Sequence, residues 1–236
     1  LMLYPYLEFS GEMLNSGRLP GWNPYLFCGF PLLAANQAGV FYPFYLFGHF
    51  IFQTFDLYTF TIIFHFFLNL SFTYLFLSVF ELSRFARIFG ALAFAFGGFM
   101  TAHHSNIGII CARSWLPLIL YLYFIFLKNK KIWYCVLAAL AVCMQLLVGH
   151  PQPAFNTLIF ICLITCCKLL FDKRIKNILL NSCKFIIIAY GIGCGLSAFQ
   201  LIPTFEFSQI SERARGDRYG FMVMRSMPPY NIANLF

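Results

Sequence analysis

Charge is what this sequence has least of. Charged residues make up 10% of its 236 positions, and only 8 are acidic. A soluble domain carries about 25%. Too little charge to clothe a water-soluble core, with 61% hydrophobic residues, defines an integral membrane protein. The net charge of +8 would suit nucleic acid. What is missing is a basic face: Lys and Arg fall in short clusters between apolar runs, as membrane topology requires, which excludes a nucleic-acid partner. Also missing is C-x-x-C spacing among the nine cysteines. Cys135, Cys143, Cys162, Cys166 and Cys194 lie in apolar runs and read as small core hydrophobes, leaving Cys28 as the one expected in water. No internal repeat is visible. There is no initiator Met at Leu1 and no signal peptide, so the chain reads as a fragment of a longer protein.

What is present in excess is aromatic: 20% of residues, 32 of them Phe. Against that background residues 17–43, GRLPGWNPYLFCGFPLLAANQAGVFYP, stand apart. Four prolines and four glycines forbid a long helix, yet the stretch is too apolar for a solvated linker. It predicts an ordered loop on the mouth of a membrane bundle, the kind of segment that carries function. A short helix over 3–15 leads into it, with Glu8 and Glu12 on one face, and 41–55 reads as an interfacial or re-entrant helix or as the start of the next one.

The expected fold is an all-α polytopic membrane protein of about six to seven transmembrane helices. The extracytoplasmic loop occupies 1–43, the helical bundle 44–202 and a second extracytoplasmic segment 203–236. The spans read as 57–80, 87–102, 115–127, 132–148, 154–170 and 178–202, of which the second and third are short. Alternate connections hold Arg84, Arg87, Lys128, Lys130, Lys131, Lys168, Lys173, Arg174 and Lys176, whereas the opposite ones, 103–114 and 149–153, hold only Arg113. The positive-inside rule puts the basic side in the cytoplasm and the organising loop outside, despite Arg213, Arg215, Arg218 and Arg225 in the tail.

Uncommon polar residues collect on that outer rim. His103, His104, Arg113, His150 and Gln152 are candidate substrate-binding residues, together with Trp22, Asn23 and Tyr25 of the loop. Arg113 suits a lipid phosphate or snorkels to the interface. His150 suits acid–base work or a phosphate, or simply hydrates, and the His spacing demands no metal site. Trp22 and Tyr25 suit a sugar ring or anchor the interface. Within the membrane, Thr61, His65, Asn69 and Thr73 recur every fourth residue on one helical face, predicting a face turned into the bundle, as helix-binding glue or a cleft lining. Gly191 with Gly195, and Ala93 with Gly97, predict close helix packing.

The loop, then ALAFAFGGFMTAHHSNIG with SWLPL, then LLVGHPQPAFNT, resemble in order the signatures of YfhO-like bacterial membrane proteins, over about residues 3 to 236. The resemblance implies a glycosyltransferase of the GT-C type in the bacterial cytoplasmic membrane. Such an enzyme passes a sugar from a polyprenyl-phosphate carrier to a cell-envelope polymer or lipid on the outer face. It also implies an acidic residue, base or metal ligand, a few positions before a Tyr-Pro such as Tyr4-Pro5, hence upstream of Leu1. Glu8 and Glu12 are the weak substitutes within this sequence, and a divalent cation is the one cofactor left open. A transporter or flippase of lipid-linked sugar, and a non-catalytic envelope-assembly protein, are the alternatives.

Overall fold

The computed structural model describes residues 3–171 and 175–210. They form eleven α-helices: α1 Tyr4–Asn15, α2 Pro43–Gly48, α3 Thr54–Leu77, α4 Arg84–Ala95, α5 Gly98–Ala102, α6 Ile107–Ser114, α7 Leu116–Asn129, α8 Trp133–Leu147, α9 Pro151–Phe171, α10 Ile175–Leu196 and α11 Ala198–Ile210. The only strand pairing among the described residues is a single antiparallel bridge, Asn23 to Phe30.

The fold is that of a multi-pass membrane protein. Five segments are long and apolar enough to cross a bilayer: Thr54–Phe80, Arg84–Ala102, Ile107–Asn129, Pro151–Phe171 and Ile175–Leu196. Helix α8 is apolar but has only 15 residues, about 22 Å at 1.5 Å each, short of a hydrocarbon core of about 30 Å. Helix α3 shows the logic of the class. It carries no glycine or proline, and Asp56 in its first turn complements the dipole. Thr61, His65, Asn69 and Thr73 are all buried, whereas Ile63 and Phe67 on other faces are more than 60% exposed. Polar inside and apolar outside inverts the pattern of a soluble helix, because lipid replaces water as the surrounding medium. The stripe therefore faces the bundle, as its spacing predicts.

Several expectations need correction. Residues 107–114 form a helix, so Arg113 sits on α6 and not in a loop. The last predicted span breaks at Ser197 into α10 and α11, and Pro203 lies inside α11. Gly191 and Gly195 are exposed with open space around them; the close contact belongs to Gly193, where a Cβ would lie 2.8 Å from Val142 Cγ1 on α8. Cys162, Cys166 and Cys194 point outward, and Cys111 joins Cys135 and Cys143 in the interior. Cys28 is exposed as expected. Lys173, Arg174 and the tail arginines lie outside the described residues.

One core joins α7, α8, α9 and α10 around Tyr123, Phe126 and Phe185. Another seats the first loop on the bundle, with Leu7, Tyr42 and Tyr45 against Ile107, Cys111, Leu147 and Val148. The loop touches the turn after α8 backbone to backbone. Gly149, at φ 95°, leaves room for the Asn36 carbonyl where a Cβ would collide. Gln200 of α11 donates to the Leu33 carbonyl at 2.8 Å. The loop, the 149–150 turn and the start of α11 thus share one end of the bundle. The basic segments share the other: Phe80 and Lys168 both pack on Phe124 near the end of α7.

Candidate functional site

At the loop-bearing end, α5, α6 and α9 enclose a vestibule of about 180 Å³. Its polar wall consists of His103, Arg113, His150, Gln152 and Asn156, and its apolar wall includes Phe99, Leu116 and Phe160. Arg113, Leu116 and Phe160 also line an apolar crevice of about 410 Å³ that runs on between α3, α4, α7 and α9. Arg113 therefore stands where a polar chamber meets an apolar one.

The Arg113 guanidinium lies over the Phe99 ring at 3.8 Å and the Phe94 ring at 5.4 Å. Its Nε is buried with no hydrogen-bond partner among the described residues. A cation held by ring faces keeps its charge available, since a π face attracts it without neutralising it. Beneath it, Gln145 Nε2 donates to the Ala112 carbonyl at 2.9 Å and to Thr157 Oγ1 at 3.1 Å, tying α6, α8 and α9 together.

The imidazoles are set by backbone. His103 Nδ1 faces the Phe99 carbonyl at 2.8 Å and donates to it, since a carbonyl can only accept. The His150 ring rests on Gly108, where a Cβ would lie 2.7 Å from Nε2. Burial pushes His150 below the ordinary His value, which keeps it neutral at pH 7. A neutral imidazole can accept a proton from a hydroxyl or donate a hydrogen bond to phosphate.

The first loop is locked to the floor of this site by a chain of hydrogen bonds. Trp115 Nε1 donates to Tyr42 Oη at 3.1 Å, Tyr42 donates to His65 Nε2 at 2.5 Å, and His65 Nδ1 donates to the Thr61 carbonyl at 2.7 Å. The directions follow from the ends, because indole N–H can only donate and a carbonyl can only accept. Burial, then the nearby Cys111, pushes the Tyr42 phenol up, so it remains a donor. Trp115 lies two residues from Arg113, so the loop is tied to the α6–α7 junction just past the last turn of α6 that carries Arg113.

The structure brings together His103, Arg113, His150 and Gln152. It keeps the other candidates apart. His104 is exposed and borders a separate apolar groove with Phe66 and Phe96. Trp22 and Tyr25 project from the loop at 57% and 83% exposure and line neither chamber. Asn23 is buried and builds its own turn, its Oδ1 accepting from the Tyr25 N–H at 2.9 Å. Glu8 and Glu12 are exposed on α1, and no carboxylate among the described residues lines the vestibule or the crevice. Nor do three or more His, Cys, Asp or Glu side chains converge among the described residues. Asn156 and Phe99 were missed. Asn156 follows Gln152 by four residues and so shares its helical face, a signal the sequence did contain.

Searches against family models, curated proteins and solved structures give no match, so the functional argument rests on these residues.

Proposed function

We propose that the protein is a membrane glycosyltransferase of the GT-C type, acting on the outer face of a bacterial cytoplasmic membrane. It takes a sugar from a polyprenyl-phosphate carrier and passes it to a cell-envelope polymer or lipid. The observation that carries the reading is the pair of chambers joined at Arg113. A polar vestibule suits a glycosyl phosphate, an apolar crevice suits the chain attached to it, and a cation at their junction suits the phosphate between them.

In this reading Gln152 and Asn156 hold sugar hydroxyls. Arg113 stabilises the phosphate as charge develops on it. The acceptor hydroxyl attacks the anomeric carbon, the carbon–oxygen bond to phosphate breaks, and the phosphate leaves with its electron pair. The acceptor proton goes to a base. His150, an imidazole on the vestibule wall with its pKa lowered by burial, is one candidate, and the carboxylate that the family resemblance implies is the other.

A second reading, movement of a lipid-linked sugar across the bilayer, is favoured by one observation. The α4–α5 and α6–α7 segments are each interrupted within a stretch long enough to span. Broken helices beside a binding site are a transporter device.

Turnover of a radiolabelled polyprenyl-phosphate sugar by the full-length protein in detergent tests the first reading. There is no second compartment in detergent, so a pure transporter gives no product. Arg113→Ala is expected to slow transfer about a hundredfold and His150→Ala about tenfold, the scale of one charge-assisted and one ordinary contact. Lys130→Ala, at the opposite end, leaves turnover unchanged. Absence of product from wild-type protein, or equal damage by Lys130→Ala, sinks the reading.

A further inference from the structure

The run Phe94-Ala95-Phe96-Gly97-Gly98-Phe99 has no role in the transfer chemistry above. Phe94 belongs to the last turn of α4 and lines only the crevice. Phe99 belongs to the first turn of α5 and lines only the vestibule. The break between them depends on Gly97, where a Cβ would lie 2.6 Å from the Ala93 carbonyl. Breaking the helix there puts one aromatic ring in each chamber, with Arg113 between them.

The geometry around Phe99 is tight. Arg113 sits 3.8 Å from its centroid, and the His103 ring stacks at 4.2 Å with an interplanar angle of 22°. Two flat groups that close to one centroid would overlap if they shared a face. Arg113 and His103 therefore occupy opposite faces of Phe99. The ring separates them and fixes both.

We propose that Phe99, seconded by Phe94, is a positioning residue that holds the Arg113 guanidinium at the junction of the chambers, where it selects amphiphiles with an anionic head. The inference rests on the amphiphile reading of the site. A carboxylate partner would fix the guanidinium equally well but would compete with the ligand for it. Ring faces fix it and leave its N–H fork unpaired, which agrees with the orphaned Nε. An amphiphile with an uncharged head finds the same crevice and gains nothing from Arg113. Phe99 is nearer than Phe94, so it carries the larger share.

The test compares two lipids with one chain, a polyprenyl phosphate and the matching polyprenol, binding to the full-length protein in phosphatidylcholine nanodiscs. Wild-type protein is expected to prefer the phosphate by about tenfold or more. Phe99→Leu should bring that ratio close to the Arg113→Ala value while polyprenol affinity stays unchanged, which also shows that the crevice is intact. Phe99→Tyr should keep the ratio, and Phe94→Leu should lower it less than Phe99→Leu. A wild-type ratio in Phe99→Leu, or an equal loss for both lipids, overturns the positioning role. Should Phe99→Leu fail to fold, Phe94→Leu decides by the same ratio. If Arg113→Ala itself keeps the wild-type ratio, the amphiphile reading fails instead. Inorganic phosphate competing as strongly as the lipid phosphate would make this a free-anion site and overturn both.

Discussion

Two groups of polar side chains are buried in the bundle, one with every hydroxyl paired and one, on α3, paired at His65 and Thr73 but not at Asn69. Between α7, α9 and α10, Tyr123 Oη sits 2.7 Å from both Thr165 Oγ1 and Ser182 Oγ. Thr165 in turn donates to the Ile161 carbonyl at 2.7 Å. Ser182 then donates to Tyr123, Tyr123 to Thr165 and Thr165 to the backbone, so every hydroxyl proton is used. The surroundings are packed core. On α3, by contrast, neither polar atom of the fully buried Asn69 amide has a hydrogen-bond partner among the described residues. One turn further, Thr73 lines the crevice with Arg113, whose Nε is unpartnered too. A membrane interior penalises unpaired polar atoms by several kcal/mol at most positions. Where such atoms are all paired, the residues hold helices together. Where they are left over, as on Asn69 and on Arg113 beside the crevice, they contribute no bond that holds helices together.

The sharpest way to break this comparison is to empty the paired cluster. Tyr123→Ala removes a buried aromatic ring and strands the Ser182 hydroxyl, so it should cost about 3–4 kcal/mol of stability. Thermal unfolding in nanodiscs gives the measurement. A loss below about 1 kcal/mol would mean that the clasp is not structural glue.

Tyr123→Phe sharpens the same point. It keeps the ring and deletes two interhelical contacts of roughly 0.6 kcal/mol each, so about 1 kcal/mol is expected. Lipid binding at the two chambers should not change. A shifted polyprenyl-phosphate affinity would show that the clasp and the site are coupled.

Asn69→Leu should do less still to stability. Replacing an unpaired buried amide with a residue of similar size removes a desolvation cost and no bond, so the change should lie within about 0.5 kcal/mol or be stabilising. A loss above about 1 kcal/mol would return Asn69 to the glue class. The contrast between Asn69→Leu and Tyr123→Phe is thus between a near-neutral or stabilising change and a clear loss.

How far this division was legible in the sequence depends on the residue. The four-residue spacing of Thr61, His65, Asn69 and Thr73 gave their common inward face, because helical periodicity is local. It did not say which of them would find partners, because that depends on neighbours far away in sequence, such as Tyr42 for His65. The meeting of His103, Arg113, His150 and Gln152 was legible from topology, since short connections return the chain to one rim. The direction of Trp22 and Tyr25 was not. It is set by the Asn23–Phe30 bridge and by positive φ at Phe27 and Cys28, a conformation no local rule assigns to those residue types. Glycine spacing also misled: Gly191 and Gly195 share a face, but α8 packs against the face that carries Gly193. A small-residue pattern names a face able to approach a neighbour, and only the bundle decides where that neighbour lies.

The smallest effect concerns protons. His150 lies at the mouth of the vestibule with its pKa lowered by burial, and the vestibule adds Arg113 and His103 but no carboxylate. A lowered pKa means that the unfolded chain binds the proton more readily than the folded one. Stability from this residue is therefore present above the unfolded His value, about 6.5, and is lost as pH falls from there through the folded value. His150→Gln keeps a polar side chain and cannot titrate. Unfolding midpoints measured from pH 8 to pH 4 should fall less steeply for His150→Gln than for wild type below about pH 6.5, with the two curves parallel above it. The same titration bears on the ligand. A proton on His150 adds positive charge to a chamber that already holds Arg113, so anionic amphiphiles should bind more tightly as stability declines. Opposite slopes for stability and for polyprenyl-phosphate affinity, both flattened by His150→Gln, place the imidazole against the anion. Parallel slopes, or slopes that survive the substitution, would leave His150 as a buried ring on Gly108 with no part in binding.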